Sequence, residues 1–341
     1  MGKQVKFGVF TDLHVDIMHD AQERLEKFLE DCRKEDVDFI VQLGDFCYPD
    51  ETRKCVCKPK NRPVNIDLAL RTKTYADKDA IINMFNNFEK PSYHVLGNHE
   101  CDMCSKEETL AYYNMTNGSY YSFDKGGFHF VVLDGSYYKV GDEYFAYSNG
   151  NYFDAADYDE QILPYVHPEE LEWLKKDLAN TQLPTVLFSH QCMNEDNPWG
   201  VMNAAELKEI LKNAPAGVVA ALNGHEHQDY VEKQDGIWFL NVNSISCCWI
   251  DAAFEYPGLY GAEIDEKYPN IKYTVPYKDP IYGIVTVTGE GMMVKGVQSD
   301  YVGPGPVERG VFRKDSWWHH VDDGTRTLDP NVTSRWLPFQ K

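Results

Sequence analysis

Histidine, aspartate and asparagine residues recur directly after apolar segments along the first two thirds of the chain. They stand in five short motifs: Asp12-Leu13-His14, Gly44-Asp45, Gly97-Asn98-His99-Glu100, Ser189-His190 and Gly224-His225-Glu226-His227. Carboxylate and imidazole groups suit Mn, Fe and Zn in sites of mixed oxygen and nitrogen ligands. The set holds more ligands than one ion needs, so it indicates two ions, and a centrally placed carboxylate could bridge them.

A pair of metal ions suggests a particular reaction. Two cations about 3.5–4 Å apart serve in-line displacement at phosphorus, with a bridging hydroxide as the nucleophile. The same ions neutralise the charge on the non-bridging phosphate oxygens. The motifs therefore predict an enzyme that hydrolyses a P–O bond.

The elements around the motifs follow an alternating pattern. Helical faces, such as the one formed by Leu25, Phe28, Leu29 and Cys32, separate short apolar runs that are typical of buried strands. The predicted strands lie at 6–12, 39–45, 93–98, 128–134, 185–190 and 218–225. This alternation predicts βαβ units and an α/β fold with helices outside the sheets. Because functional residues gather at the carboxyl ends of parallel strands, the motifs should share one crevice.

The motif set D-x-H, G-D, G-N-H-[DE], H and G-H-x-H, in this order, resembles the calcineurin-like metallophosphoesterase superfamily over about residues 5–245. The resemblance implies a four-layer α-β-β-α sandwich, in which two mixed β-sheets are flanked by helices. The predicted hairpin at 281–298 would extend the second sheet. We expect a catalytic domain at 1–300 and a C-terminal extension at 301–341 packed on it.

The resemblance also implies a role for each motif residue. It assigns the first metal to Asp12, His14 and His227, the second metal to Asn98, His190 and His225, and the bridging position to Asp45.

The same resemblance makes His99 the catalytic imidazole, which protonates the leaving-group oxygen or stabilises charge on it. Glu100 would orient His99, in the way that a carboxylate fixes an imidazole tautomer.

Segments outside the motifs bear on the substrate. The stretches 131–138, 170–178 and 236–249 look like the subgroup of cyclic-nucleotide phosphodiesterases and Mn-dependent ADP-ribose/CDP-alcohol diphosphatases. Cap insertions near 51–75, 136–166 and 251–281, the last two rich in aromatic residues, could stack a nucleobase or only cover a sheet edge. We therefore expect a phosphodiester or nucleotide-diphosphate substrate, with a phosphomonoester as the alternative.

The composition limits the partners. The 341 residues are 43% hydrophobic and 26% charged, as in a globular protein of one large or two ordinary domains. The 33 basic and 54 acidic residues give a net charge of −21, which disfavours binding to nucleic acid or anionic lipid. With no membrane span and no leader in the sequence as given, we expect a cytoplasmic protein, or an exported one if a leader has been removed. The oligomeric state is left open.

Cysteine offers a second metal hypothesis. The odd count of nine fits reduced thiols better than a full set of disulfides. The cysteines beside the motifs could hold a structural zinc, form a disulfide in an exported protein, or remain free thiols. They are Cys47, Cys55, Cys57, Cys101 and Cys104.

Two non-catalytic interpretations arise, one for a single histidine and one for the whole fold. His129 lies inside an alternating strand pattern, and we predict that it is structural rather than catalytic. The fold could also serve as a non-catalytic scaffold, because some members of this superfamily have lost ligands. The complete motif set of this chain counts against the scaffold.

Overall fold

The structure is a computed structural model. It describes residues 3–47, 78–102, 104–151, 163–194, 200–250, 252–311 and 328–339. The insertion predicted at 51–75, with Cys55 and Cys57, lies outside these residues. So do 152–162 of the second predicted insertion and 312–327 of the predicted extension.

Strands and helices alternate through the first two thirds of the described chain. The strands are β1 (Gln4–Phe10), β2 (Phe39–Gln42), β3 (Ser92–His94), β4 (Tyr121–Lys125), β5 (Phe128–Val132), β6 (Tyr137–Val140), β7 (Glu143–Ala146), β8 (Thr185–Phe188), β9 (Val218–Asn223), β10 (Tyr230–Gln234), β11 (Ile237–Asn241), β12 (Cys247–Trp249), β13 (Thr274–Pro276), β14 (Gly283–Thr288), β15 (Gly291–Gly296) and β16 (Arg335–Pro338). The α-helices are α1 (Ala21–Lys34), α2 (78–86), α3 (Lys106–Tyr112), α4 (Pro168–Asn180), α5 (Ala204–Lys212) and α6 (Ala262–Lys267).

Two six-stranded mixed sheets form the centre of the fold. Sheet 1 has the order β16-β15-β14-β1-β2-β3, and sheet 2 has the order β10-β11-β9-β8-β5-β4. Within sheet 1, β1, β2 and β3 are parallel, and within sheet 2 the neighbours β5, β8, β9 and β11 are parallel. The carboxyl ends of these strands carry all five sequence motifs.

Alternating side chains divide the sheets into inner and outer faces. Phe7 of β1 reaches across to Phe188 of β8, with ring centroids 5.6 Å apart, so the inner faces of the two sheets share one core. On the outer face of sheet 1, Phe10 packs edge-on against Phe28 of α1 at 4.8 Å. A separate apolar cluster joins the outer face of sheet 2 to α4 and α5. The predicted four-layer α-β-β-α sandwich is therefore confirmed.

The hairpin predicted at 281–298 is formed by β14 and β15, but it joins sheet 1. Its placement in the second sheet was wrong. β14 pairs antiparallel with β1 from Gln4↔Thr288 to Val9↔Gly283. The apolar strand β1 is thereby enclosed between two neighbours, and no edge of it is left open to solvent.

His129 is structural, as predicted. Its Nδ1 lies 2.7 Å from Asp124 Oδ1 in β4 and its Nε2 lies 2.7 Å from Asp177 Oδ2 in α4. Burial alone would lower the pKa of His129, but the two carboxylates raise it above the ordinary value of 6.5. The charged imidazole thus ties a strand of sheet 2 to the helix outside it.

This raised pKa gives a pH-dependent stability. The contribution of His129 is fully present below its unfolded pKa and is lost as the pH rises through the higher folded pKa. We expect His129→Gln to lower the free energy of unfolding by about 1 kcal/mol at acidic pH. The difference from wild type should shrink in alkaline solution. Urea denaturation of both proteins across the pH range checks this, and a difference independent of pH would contradict it.

Within the described ranges, every helix is too short or too polar to span a lipid bilayer.

Candidate metal centre

The sequence motifs meet at one end of the sandwich, between the two sheets. Two groups of side chains converge there, with the ligand atoms of each group within 4.8 Å of one another. The first group is Asp12, His14 and His227, and the second is Asp45, His190 and His225. Each group takes members from loops after sheet 1 and from loops after sheet 2.

The first group is compact and buried. Asp12 Oδ1 lies 3.3 Å from His227 Nε2 and 3.7 Å from His14 Nε2. The two imidazole Nε2 atoms are 3.1 Å apart. The opposite nitrogen of His227, Nδ1, lies 2.7 Å from the carbonyl oxygen of Cys247, which fixes the ring so that Nε2 faces the group.

The second group is arranged in the same way around His190. Its Nε2 lies 3.3 Å from Asp45 Oδ2 and 3.1 Å from His225 Nδ1. Asn98 Oδ1 is also 3.1 Å from this nitrogen, so the predicted amide ligand reaches the same point. His190 Nδ1 lies 2.8 Å from the carbonyl oxygen of Leu43, which holds the ring in place.

The electrostatics of the two groups suit cations. Burial lowers the pKa of His14 and of His225 to about 3, so both imidazoles are neutral and can act as ligands. Burial would also lower the pKa of His190, but Asp45 raises it to about 9. Asp12 likewise raises the pKa of His227. Each carboxylate therefore favours a positive charge at its group, and a divalent cation can replace the imidazole protons.

The backbone at the ligands is strained. Nine non-glycine residues in the described chain have φ values in the left-handed region, which side chains other than those of Asn and Asp rarely adopt. Five of the nine are ligand candidates: Asp12, His14, Asp45, His225 and His227. Asp tolerates this conformation, but in the three histidines it costs about 1–3 kcal/mol each, and such residues cluster at functional sites. This concentration of strain marks the convergence as a built site.

Gly44 of the G-D motif is required by close packing against a ligand. Its φ is +102°, and a Cβ there would lie 2.7 Å from His190 Cγ and 2.8 Å from Gly97 Cα. We expect Gly44→Ala to lower the free energy of unfolding by about 1–2 kcal/mol for the backbone, plus about 1–3 kcal/mol for the overlap. It should also lower the metal content, because His190 must move.

Gly217 provides the matched control for this variant. Its φ is +83°, but a Cβ there would meet nothing within 4 Å. Gly217→Ala should therefore show only the backbone cost and keep its metal. Chemical denaturation and elemental analysis of the two variants test this, and equal losses in both would show that the overlap with His190 is unimportant.

The structure corrects the role predicted for Glu100. Its carboxylate accepts hydrogen bonds from the backbone N–H groups of Asp45, Phe46 and Gly97, at 3.2, 2.7 and 2.7 Å. Burial and the neighbouring Asp45 raise the pKa of Glu100 to about 8. Glu100 joins the G-D loop to the G-N-H loop. The carboxylate beside His99 belongs to Asp102 instead, at 2.8 Å from Nδ1.

Two residues near the groups were not singled out from the sequence. Trp249 follows sheet 2 in β12, and its ring centroid lies 6.0 Å from that of His14 and 6.3 Å from that of His227. Asp102 was overlooked because Glu100 is the acidic residue inside the recognised motif. The sequence signal that could have identified Asp102 was the H-x-x-D spacing from His99, which brings two side chains together in a single turn.

The described cysteines form no metal group. Cys47, Cys101 and Cys104 are buried, and the two metal groups of the described residues contain no cysteine. Burial raises the pKa of Cys47 and of Cys101 to about 12, which opposes the thiolate form that zinc requires.

Comparisons with known proteins show the fold and the family of this chain. A search of curated proteins finds no match. Among solved structures, a dimetal phosphatase from Danio rerio is similar, with a TM-score of 0.59, 16% identity, and coverage of 89% of this chain and 99% of that one. PhoD gives a TM-score of 0.54 and 16% identity, with coverage of 89% of this chain and 67% of the other.

A third similar structure is GAP50, described as the anchor in the inner membrane complex of Plasmodium. Its TM-score is 0.50 and its identity 12%, with coverage of 99% of this chain and 90% of that chain. The family model for calcineurin-like phosphoesterases matches residues 5–229. This chain therefore belongs to the calcineurin-like phosphoesterases, a family of metal-dependent hydrolases.

Proposed function

We propose that this protein hydrolyses a phosphodiester or a nucleotide diphosphate. The main support is the convergence of two ligand groups from opposite sheets beside one further imidazole, that of His99. The His99 ring lies 6.2 Å from the His14 ring. When bound, two divalent cations supply a nucleophile at neutral pH and neutralise charge on the phosphate oxygens.

The proposed ligands follow from the two groups. Asp12, His14 and His227 would hold the first ion, and His190 and His225 would hold the second together with the Asn98 amide oxygen. Asp45 would serve both ions, because it belongs to the second group and its carboxylate also interacts electrostatically with His14 of the first group. The mixture of carboxylate, imidazole and amide fits Mn, Fe or Zn.

His99 is the proposed general acid. Its side chain is 12% exposed, so part of the ring is accessible to solvent. A proton on Nε2 can pass to the leaving-group oxygen as the P–O bond breaks, which makes that oxygen a better leaving group.

Trp249 favours a substrate with a flat group. It is half-buried and lies beside two ligands of the first ion. An aromatic face next to a phosphate site can stack a base or another ring. The cap insertion predicted at 251–281 follows Trp249 in the chain. It contains α6 and β13, and β13 pairs with β12, the strand that carries Trp249.

A substrate panel tests the proposal. The Mn-loaded protein is assayed with bis-p-nitrophenyl phosphate, cyclic nucleotides, ADP-ribose and p-nitrophenyl phosphate. Preference for the diesters or the diphosphate supports the proposal. A clear preference for p-nitrophenyl phosphate would point to the phosphomonoesterase alternative. No hydrolysis of any of these by metal-loaded protein would favour the non-catalytic scaffold.

The stacking argument is tested within the same panel. Trp249→Leu should raise KM for the preferred nucleotide about tenfold, because stacking is worth about 1–3 kcal/mol per base. Trp238→Leu is the matched control, because this tryptophan lies near the start of β11, at the end of the parallel strands opposite to the ligand loops, where its Nε1 donates to the Pro338 carbonyl oxygen. Equal KM values for the two variants would remove Trp249 from the binding site.

A further inference from the structure

The last described residues, 328–339, form a segment that we call the C-terminal strap. It lies outside the residues 5–229 that the family model matches. Its strand β16 pairs with β15 at the edge of sheet 1, and the Val332 N–H donates to the Val297 carbonyl oxygen at 2.9 Å. Pairing within sheet 1 accounts for these contacts, whereas others cross to two loops that follow strands of sheet 2.

One of these loops follows β9 and carries the ligand candidate His227. Two residues further on, Asp229 Oδ2 accepts a hydrogen bond from the Thr333 N–H at 3.1 Å and forms an ion pair with the Arg335 guanidinium. The Asp229 side chain is only 2% exposed and that of Arg335 15%, so solvent ions screen the pair little. The strap therefore holds this loop through a buried carboxylate just beyond the ligand.

The other loop lies between β11 and β12. The side-chain amide of Asn243 donates to the carbonyl oxygens of Asp329 and Asn331 in the strap, at 3.1 and 3.2 Å. In the same loop, Ser244 Oγ donates to the Asp12 carbonyl oxygen at 2.9 Å. The strap is thus tied to a loop that contacts the first ligand motif directly.

The backbone of His227 needs support from outside its own loop. Its φ of 51° lies in the left-handed region, and such a conformation persists only where the surrounding structure fixes it. The contact with the Cys247 carbonyl oxygen holds the ring, and the contacts of Asp229 with the strap hold the backbone that follows.

We infer that the C-terminal strap positions His227 for the first ion, and that Arg335 is the positioning residue, acting through Asp229. Two of the three ligand candidates of the first group, Asp12 and His227, are supported by loops that the strap holds. In the second group, His225 shares the loop of His227. The first ion should therefore be the more sensitive to the strap. This inference rests on the ligand assignment of the proposed function.

The test is Arg335→Gln, which removes the positive charge beside Asp229. Mn-loaded protein is equilibrated with buffers of decreasing free Mn²⁺, and elemental analysis gives the Mn bound per chain. The step that remains in His14→Ala, which lacks a ligand of the first group, identifies the second ion. We expect Arg335→Gln to need about tenfold more free Mn²⁺ to hold the first ion, as is usual when the support of a ligand is lost, and less than about twofold more for the second.

Arg33→Gln is the matched control, because it removes the same group from an ion pair with Glu89, at 2.8 Å, on the surface of α1. Both Mn²⁺ affinities should stay as in the wild type. Leu178→Ala controls for stability, because it opens a cavity under α4 in the outer cluster of sheet 2. A purely structural loss of this kind should leave the ratio of the two affinities unchanged.

Asp229→Asn is a second variant, for the case that an unpaired Asp229 carboxylate prevents Arg335→Gln from folding. Asparagine keeps the shape of the side chain and the acceptor oxygen for the Thr333 N–H, but it removes the charge that pairs with Arg335. It should weaken the first ion in the same way, and adding Arg335→Gln to it should cause no further loss. Wild-type affinity for the first ion in Asp229→Asn would overturn the inference.

The outcomes separate this inference from the proposed function. If the strap variants lose the first ion selectively but the wild type hydrolyses none of the panel substrates, the proposed function fails and the inference stands. If Arg335→Gln keeps both affinities, or weakens both ions equally, the strap only covers the edge of sheet 1 and the inference is overturned. It is also overturned if the wild type retains no Mn, because His227 then holds no ion.

Discussion

Asp45→Asn is expected to lose most of its bound metal and to lower kcat by more than about 10³-fold. The proposed bridging carboxylate serves both ions, and metal ions contribute several kcal/mol of transition-state stabilisation. Asparagine keeps the size of the side chain and tolerates the left-handed backbone of Asp45, whose φ is 50°. The variant therefore removes charge without removing the fold, and elemental analysis of the purified protein measures the metal.

Asp36→Asn is the control for backbone effects. Asp36 has nearly the same φ, 48°, but its side chain is 86% exposed and pairs only with Lys90 at 3.3 Å among the described residues. This variant should keep both its metal and its activity. A metal content in Asp45→Asn equal to that of Asp36→Asn would contradict the bridging role of Asp45.

His99→Ala is expected to lower kcat by about 10²–10⁴-fold, which is the usual contribution of a general acid. Its metal content should stay near that of the wild type, because His99 belongs to neither ligand group. Steady-state kinetics combined with metal analysis separates these two effects.

His14→Ala is the contrasting variant, because it removes a proposed metal ligand rather than the proposed general acid. This imidazole lies in the first ligand group, and its ring is only 6.2 Å from that of His99. Its loss should lower both the metal content and the activity. If His99→Ala also loses metal, its imidazole acts as a ligand, and the general-acid role must be assigned to another residue.

The α/β alternation and the motif residues could be predicted because both follow from short-range patterns, whereas the four layers and the division of the ligands into two groups were implied by the resemblance to the calcineurin-like superfamily. The short apolar runs of β1 and β8 indicate buried strands, whichever strand lies beside them. The ligands follow strand ends, and parallel strands of one sheet end at the same edge. Six of the seven predicted ligands converge as two groups, and Asn98 lies beside the second.

Features that depend on distant pairing could not be predicted. The position of β14 next to β1 joins residues at opposite ends of the described chain, and no local signal distinguishes sheet 1 from sheet 2 as its partner. Which of Glu100 and Asp102 contacts His99 could not be predicted for a similar reason. Both are acidic and near His99, and only the backbone donors around Glu100 decide which carboxylate reaches the imidazole.

The mixed origin of each ligand group has a consequence for biosynthesis. Asp12, His14, Asp45 and Asn98 leave the ribosome early, but on the proposed assignment the first ion also needs His227 and the second needs His190 and His225. Strand β1, which carries the first motif, acquires its neighbour β14 later still. Ion capture therefore follows translation of sheet 2, because a nascent chain halted before residue 190 lacks His227 of the first ion and both His190 and His225 of the second.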